Sequence, residues 1–451
     1  MSNRPMALTE DFGPMLAQIQ SAIRDLEISL FDLSCSLREM LTVVGHRLPV
    51  SEDPAAAEGL LKAWLGDAVD LVFRYISLPG SLPRRALLVY IDDLTNVHSV
   101  GELTLARLID PNPRPQGMNE RVTETSTAMI ASPHVKRVPN MGEAVEALLQ
   151  GAALLVVEGE TGAIAIDEPG WAKRSVTEPE VENVVRGPRE GFTEDLRTNL
   201  SLLRRRLHTA DLQLEDQKVG RRYPTRCVIA YLQSVVDPQL VVEVRRRLDR
   251  VDANIVLDSG YLEEFLEENR WSPFPQVQNT ERPDTVAAQL LEGRIAVLVD
   301  GSPFILIVPA LFFQFLQASE DYYERFLASS ILRWMRYLLF LASLFTPALY
   351  VAVITYQPEM LPTAFLLNVM GAREAVPLPV ALEVFAMEIA LEALREAGLR
   401  LPRPTGQAVS IVGAVILGLA GVQAGFVAAP TVILVALTGI ASFSAPRYSF
   451  A

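Results

Sequence analysis

Two long stretches of this chain carry no charged residue: Tyr337 to Pro358, and Pro404 to Pro446. About 20 apolar residues at 1.5 Å each cover the roughly 30 Å hydrocarbon core of a bilayer. The first stretch therefore reads as one membrane span at about 337–357, with Pro347 as a kink that neighbouring helices can satisfy. The second is long enough for two spans, at about 404–424 and 428–446, joined near Gln423 to Pro430. Gly413, Gly418 and Gly421 would let such helices approach closely. Buried helices of a large soluble core are the alternative.

Charge divides the chain in two. Residues 305–451 hold eight Arg and nine Asp or Glu, so nearly all of the net charge of −14 belongs to residues 1–304. An acidic balance argues against nucleic acid as a partner, because phosphates reward clustered Lys and Arg. Met1 to Glu10 has no basic segment leading into an apolar one, so no signal peptide is expected. Cys35 and Cys227 cannot build a disulfide framework, which suits a reducing cytosol. The four histidines show no metal-ligand spacing.

Arginines set a topology. Arg325, Arg333 and Arg336 precede the first span; Arg400 and Arg403 precede the paired spans, and Arg447 follows them. Cytoplasmic flanks are rich in such residues, so both ends of the pair and the entry to the first span belong inside. The chain must then return between Glu359 and Leu399, and 378–398 is the piece long enough, at about 31 Å of helix. This crossing or re-entrant segment carries Glu383, Glu388, Glu392 and Glu396. Glu388, Glu392 and Glu396 follow i, i+4, i+8 and form one stripe, while Glu383 lies roughly opposite Glu392. Carboxylates at bilayer depth are expensive and face a partner, a cavity or water. A ring of such helices would favour cations. Glu388, Glu392, Glu383 and Val376 are thus the candidate pore-lining residues, and Pro377, Pro379 and Pro347 the candidate hinges. An amphipathic helix lying on the membrane surface is the competing reading.

The soluble part is duplicated. Arg85-Ala-Leu-Leu-Val-Tyr-Ile-Asp-Asp matches Arg226-Cys-Val-Ile-Ala-Tyr-Leu-Gln-Ser, shifted by 141. Ala144-Val-Glu-Ala-Leu-Leu-Gln-Gly matches Val286-Ala-Ala-Gln-Leu-Leu-Glu-Gly, shifted by 142. Each copy reads as strand, helix, connection, helix, strand, turn and strand. The expected fold is an α/β N-terminal cytosolic region of two duplicated subdomains joined by a helix, followed by an all-α multi-pass transmembrane domain. Its parts are a helical, partly flexible segment at 1–64, a first α/β subdomain at 65–175 and a linker with an amphipathic helix at 176–219. A second α/β subdomain at 220–305 and the transmembrane domain at 306–451 complete it. In the linker, Thr193 is the expected N-cap, Leu196, Leu200, Leu203 and Leu207 form an apolar stripe, and Arg204 to Arg206 a solvated helix end that also packs between the subdomains, with contact to lipid headgroups or an acidic partner as the alternative.

Catalytic candidates are poor. Asp92-Asp93 and Asp258-Ser259-Gly260 have no base or ligand cluster beside them, and Asp258-Ser259 suits a helix cap. There is no phosphate-binding glycine loop, and no enzyme, cofactor or metal is expected.

Several blocks resemble the GerA family of spore germination proteins, in particular the A subunits of nutrient germinant receptors. They are Arg186-Gly-Pro-Arg-Glu-Gly-Phe with Glu194-Asp-Leu-Arg-Thr-Asn, Leu257-Asp-Ser-Gly-Tyr, Ser272-Pro-Phe-Pro-Gln, Thr280-Glu-Arg-Pro-Asp and Glu292-Gly-Arg-Ile-Ala-Val-Leu-Val-Asp-Gly. Glu320-Asp-Tyr-Tyr-Glu-Arg and Leu394-Arg-Glu-Ala-Gly-Leu-Arg-Leu-Pro-Arg-Pro complete the series. The resemblance implies a multi-pass protein of the spore inner membrane that oligomerises into a nutrient-gated cation channel. It also implies a transporter-like B subunit and a lipoprotein C subunit as partners, besides the lipid bilayer. The alternative within the family is a scaffold associated with the dipicolinate-release machinery and without its own pore. Members normally continue past the counterpart of Pro446-Arg-Tyr-Ser-Phe with a further span, so a C-terminally truncated copy is expected here.

Overall fold

The computed structural model describes residues 12–45, 47–78, 84–101, 135–168, 170, 179, 182, 184, 186–400, 415–444 and 446. The chain forms two compact units, Met1–Val184 with Pro188–Ala310, and Val185–Gly187 with Leu311–Ala451.

Two five-stranded sheets build the first unit. One contains β1 (Leu71–Leu78), β2 (Arg84–Ile91), β3 (Val135–Val138), β4 (Ala153–Val157) and β5 (Ala163–Ile166) in the order β1-β2-β4-β5-β3. The other contains β6 (Leu212–Val219), β7 (Thr225–Leu232), β8 (Gln278–Thr280), β9 (Ile295–Val299) and β10 (Ile305–Val308) in the order β6-β7-β9-β10-β8. The order is the same, and the pairings are antiparallel in both. Register repeats too: Leu87 faces Val156 in the first sheet and Val228 faces Leu298 in the second, at the sequence offsets of 141 and 142.

Helices follow the same repeat. α1 (Phe12–Gly45) and α2 (Pro54–Leu65) open the unit, α3 (Met141–Leu149) joins β3 to β4, and α4 (Leu196–Arg206) lies between the sheets in sequence. α5 (Pro238–Asp249) and α6 (Gly260–Leu266) follow β7, and α7 (Pro283–Leu291), the counterpart of α3, joins β8 to β9. Each of these paired helices ends in a tight turn at a glycine with positive φ, Gly151 and Gly293. A Cβ there would sit 2.8 Å from the Leu94 carbonyl oxygen or 2.9 Å from that of Val235, so only glycine fits both turns. The start of the helix after the second strand is also shared. Asn96 accepts from the Ser99 N–H and Asp237 from the Gln239 N–H, each as an N-cap. Residues 102–134 of the first copy lie outside the described residues.

β4 and β9 are buried along their whole length, because helices or chain cover both faces of each sheet. Leu87, Val89, Leu154 and Val156 pack with α2 and α3 on one side, and Leu88, Leu155 and Ile166 form the other. In the second sheet Val228, Ala230 and Leu298 meet α4 and α7, while Ile229, Val297 and Val299 meet α5 and α6.

Three boundaries differ from the sequence expectation. The linker stops earlier than 219: β6 begins at Leu212 and pairs with β7 over its full length. Leu212, Gln213, Leu214 and Val219 at its two ends are buried, while Glu215, Asp216, Gln217 and Lys218 between them are partly or fully exposed, and that polar run resembles a linker. The N-cap of α4 is Asp195, not Thr193. The Asp195 carboxylate accepts from the Thr198 N–H at 3.0 Å, and Thr193 instead donates its N–H to Asn199 Oδ1 at 2.8 Å. Arg204 is not solvated. Its Nε lies 2.7 Å and its Nη2 3.1 Å from the two Asp70 carboxylate oxygens, with both side chains under 5% exposed. Arg205 and Arg206 reach Glu190. The expected leucine stripe Leu196, Leu200, Leu203 and Leu207 is buried in the second sheet's core. Thus α4 is packed on one repeat and gripped by the other.

Two of the quoted sequence blocks meet in this unit. Arg282 is buried, donates to Asp284 at 2.7 Å and to the Pro188 carbonyl at 3.0 Å, while the Phe192 N–H donates to the Glu281 carbonyl.

The second unit is helical. α8 (Phe326–Tyr356), α9 (Thr363–Arg373), α10 (Val380–Arg400) and α11 (Ala429–Ser442) are joined by short turns and by a π-helical segment, Val415–Ala420. α8 starts eleven residues before the expected 337 and runs unbroken through Pro347. It is the one helix, among the described residues, long and apolar enough to cross a membrane, and few of its residues are fully buried. α9 was not expected. The expected span at 428–446 is a helix of 14 residues, about 21 Å, which is short of a hydrocarbon core. Residues 404–414 of the expected span at 404–424, Gly413 among them, lie outside the described residues. Gly418 faces open space; the close helix approach is made by Gly439, where a Cβ would lie 2.8 Å from Leu391 Cδ2.

The Asp70–Arg204 pair yields a stability test. Asp70→Ala leaves a buried guanidinium without its counter-charge and should cost about 3–5 kcal/mol. The double variant Asp70→Leu, Arg204→Met should recover most of that loss, measured by urea unfolding of the first unit's tryptophan fluorescence.

Candidate functional site

α10 begins where two prolines interrupt the chain. Val376, half-buried, donates its N–H to the Arg373 carbonyl at 3.0 Å, Pro377 and Pro379 are exposed, and the Pro379 carbonyl accepts the Glu383 N–H. This turn folds α9 back beside the first turn of α10. Arg373 at the end of α9 thereby reaches Glu383, ten residues on, at 2.5 Å. Glu383 has no exposed surface. Its second oxygen accepts the Ala428 N–H at 2.6 Å, so it also caps the start of α11.

The other acids differ. Glu388, half-buried, has one hydrogen bond, from Thr438 Oγ1 on α11 at 3.3 Å, and Thr438 also donates to the Val435 carbonyl. Glu392, one turn later, is exposed and paired with Arg395 at 2.8 Å. Beside it, Met387, Leu391, Arg395, Val435 and Gly439 line a groove of about 480 Å³ between α10 and α11. Sequence periodicity separated Glu383 from the other acids, and the structure gives the reason: Glu383 is committed to Arg373 and Ala428, whereas Glu388 and Glu392 keep acceptor capacity facing away from that lock. A carboxylate with a free lone pair can bind water or a cation. Pro347 sits within α8, and Tyr350 one turn on approaches Thr431 Oγ1 at 3.4 Å, tying α8 to α11.

Three residues of this site went unnoticed in the sequence. Arg373 is the one basic residue between Arg336 and Arg395, which marks it as a counter-ion for a nearby acid. Thr438 gave no signal. Asp321 is the third: its carboxylate receives Arg333 at 3.2 Å and Arg336 at 2.6 Å, and its carbonyl accepts from Ser329. Arg333 and Arg336, in the first turns of α8, are therefore pinned, not free.

Among the described residues no group of three or more His, Cys, Asp or Glu is placed to hold a metal ion. Cys227 is buried in the second sheet, where burial and the nearby Asp216 push its thiol up to about 12, far from a nucleophile. Asp92 pairs with Arg197 at 3.1 Å, and Asp258 accepts from Ser302 and the Gly260 N–H ahead of α6.

Glu383→Ala removes a buried acceptor and leaves the part-buried Arg373 without its counter-charge. The variant should lose about 3–5 kcal/mol of stability. Adding Arg373→Met should restore part of it, read as the melting temperature of the detergent-solubilised chain.

The sequence profile of the Bacillus/Clostridium GerA spore germination protein family matches residues 59–451. A protein of Bacillus subtilis called "Uncharacterized membrane protein YfkQ" is 42% identical over 85% of this chain and 74% of its own. Spore germination protein KA of the same organism is 40% identical over 89% of this chain and 74% of its own. Among solved structures, the N-terminal domain of the A subunit of the Bacillus megaterium spore germinant receptor GerK3 is 31% identical, covers 58% of this chain and 97% of its own, and superposes with a TM-score of 0.47. The profile match over most of the chain, and identities of 40% and more across most of each relative, leave one assignment: this chain belongs to the GerA family of spore germination proteins.

Proposed function

We propose that this protein is the membrane subunit of a spore nutrient germinant receptor, and that copies of it oligomerise into a nutrient-gated cation channel. One observation carries the reading beyond family membership. Glu388 and Glu392 stand one turn apart on a helix whose fully buried acid, Glu383, is held by Arg373; Glu388 has a hydroxyl partner and Glu392 is exposed beside Arg395, so both carboxylates can still face an ion path. Rings of carboxylates favour cations over anions. Val376, at the proline turn, is the proposed entry to that helix, with Pro377, Pro379 and Pro347 as the proposed hinges.

In this reading α8 crosses the membrane of the spore and α10 crosses or re-enters it. Support comes from the apolar side chains that α8 leaves uncovered, among them Leu338, Leu341, Leu344 and Phe345. An uncovered surface of this kind is at home in lipid. Arg325, Arg333 and Arg336 near the start of α8 support a cytosolic entrance for that helix. A transporter-like B subunit and a lipoprotein C subunit are the proposed partners, and the nutrient is sensed through that complex.

Two measurements test this. Glu388→Gln with Glu392→Gln should cut nutrient-triggered cation release from spores by about tenfold, equivalent to about 1.4 kcal/mol of ion stabilisation, while the complex still assembles. Unchanged release would remove the two acids from the path. For topology, a cysteine at exposed Met360, after α8, should react with an impermeant thiol reagent from outside, and one at Phe326 only after permeabilisation. Cys35→Ser supplies a clean background, since the buried Cys227 thiol is silent.

A further inference from the structure

α1 carries apolar residues at 23, 26, 30, 33, 37, 40 and 44, a strict alternation of three and four. All seven, from Ile23 to Val44, are between 49% and 61% exposed. Leu16 and Ile19 extend the spacing backwards within the same helix. A neighbouring side of α1 is already used. Phe31 meets the Tyr231 ring at 6.0 Å, the Ser34 hydroxyl accepts from Gln233 Nε2 at 2.5 Å, and Leu41 packs with the first sheet's core. One face thus anchors the helix and the other is uncovered.

Its period decides what fits. A hydrophobic repeat of 3.5 residues, kept for four heptads, is the seam of a coiled coil, in which both helices share that repeat. With Ile23, Leu30, Leu37 and Val44 at a, and Leu26, Leu33 and Met40 at d, no charged residue falls at a, d or g. The g positions hold Ala22, Ser29, Ser36 and Val43, none charged, so in a parallel pair Glu27 at e meets no like charge across the seam. A lipid surface fits less well. Asp25 and Asp32, at c on the outer side of the helix, are exposed, whereas helices that lie on anionic membranes carry basic residues on their polar face. The uncovered area is also adequate: seven half-exposed side chains at on the order of 100 Å² each give about 700 Å² per copy, close to the roughly 800 Å² per partner of a stable interface.

We propose that the α1 seam docks the α1 seam of a second copy of this chain. This places a contact of the proposed oligomer in the first unit; it deepens that reading and rests on it only for the existence of an oligomer. The test uses the full chain in membranes with Cys35→Ser. Single cysteines replace Leu26, Leu30 or Leu33, tested alone and in co-expressed pairs, with Asp32→Cys as the exposed control one residue off the seam. Oxidation should give disulfide-linked dimers from the seam positions at tenfold or more the yield of the control. Identical positions joining indicates parallel helices, and a preference for mixed pairs indicates antiparallel ones. Leu30→Glu with Leu33→Glu should abolish the Leu26→Cys dimer without changing the circular dichroism, since both leucines are exposed. Seam yields equal to the control overturn the proposal, as does protection of the seam cysteines by lipid vesicles alone. If the chain remains oligomeric by native mass while the seam fails to join, only the seam is refuted; if it is monomeric throughout, the oligomer of the functional reading falls with it.

Discussion

A carboxylate that water cannot reach holds the helical unit together. Glu383 would be costly to bury alone, and three features offset the cost: the Arg373 guanidinium, the Ala428 N–H and the positive end of its own helix, α10. These come from three different helix ends. One side chain therefore fixes the end of α9, the start of α10 and the start of α11 at a single point. Gly439 and Leu391 then close α10 on α11 further along, and Tyr350 brings α8 onto α11. Glu388 owes its position to that frame, since its partner Thr438 sits two and a half turns along the helix that Glu383 caps.

The first unit uses a related device. Its two sheets are copies with the same strand order and register, and neither alone covers all of its apolar surface. α4 fills the gap with leucines in one core, while Arg204 reaches Asp70 just ahead of the other copy's first strand. The adjoining backbone adds a bond, from the Val69 N–H to the Leu214 carbonyl at 3.1 Å. A buried ion pair is weak evidence of stability in itself, but breaking it is expensive, and that asymmetry suits a joint between repeats.

What could be read from the sequence depended on distance along the chain. The duplication was legible because local constraints recur: Gly151 and Gly293 close equivalent turns, and Asn96 and Asp237 cap equivalent helices. The leucine stripe of α4 was legible because helical periodicity is local. The fate of Arg204 was not, since its partner lies 134 residues away and nothing in composition selects it from two neighbouring arginines. β6 was lost for a different reason, because its middle, Glu215 to Lys218, is a polar run that resembles a linker. α11 shows that an uncharged run sets an upper limit on a span and not its length; the chain turns at Gly425, with φ of 72°, before the helix starts. In the candidate site the stripe argument set Glu383 apart from Glu388, yet only the folded proline turn reveals why Arg373 can meet it.

On the proposed reading, the acids of α10 bear on the assembly. In one copy Glu392 is open to its surroundings and Glu388 has a single hydroxyl partner, so neither lines an enclosed path. Carboxylates on an otherwise apolar helical unit are tolerable in lipid only where other copies or water surround them. The helix that bears them is not free to turn away, because Glu383 locks its first turn. A single copy is thus left with two acids fixed in an unsuitable place. Repeating the copy around a common axis converts that liability into a polar lining, and the constraint that keeps α10 rigid becomes the one that aligns the lining from copy to copy.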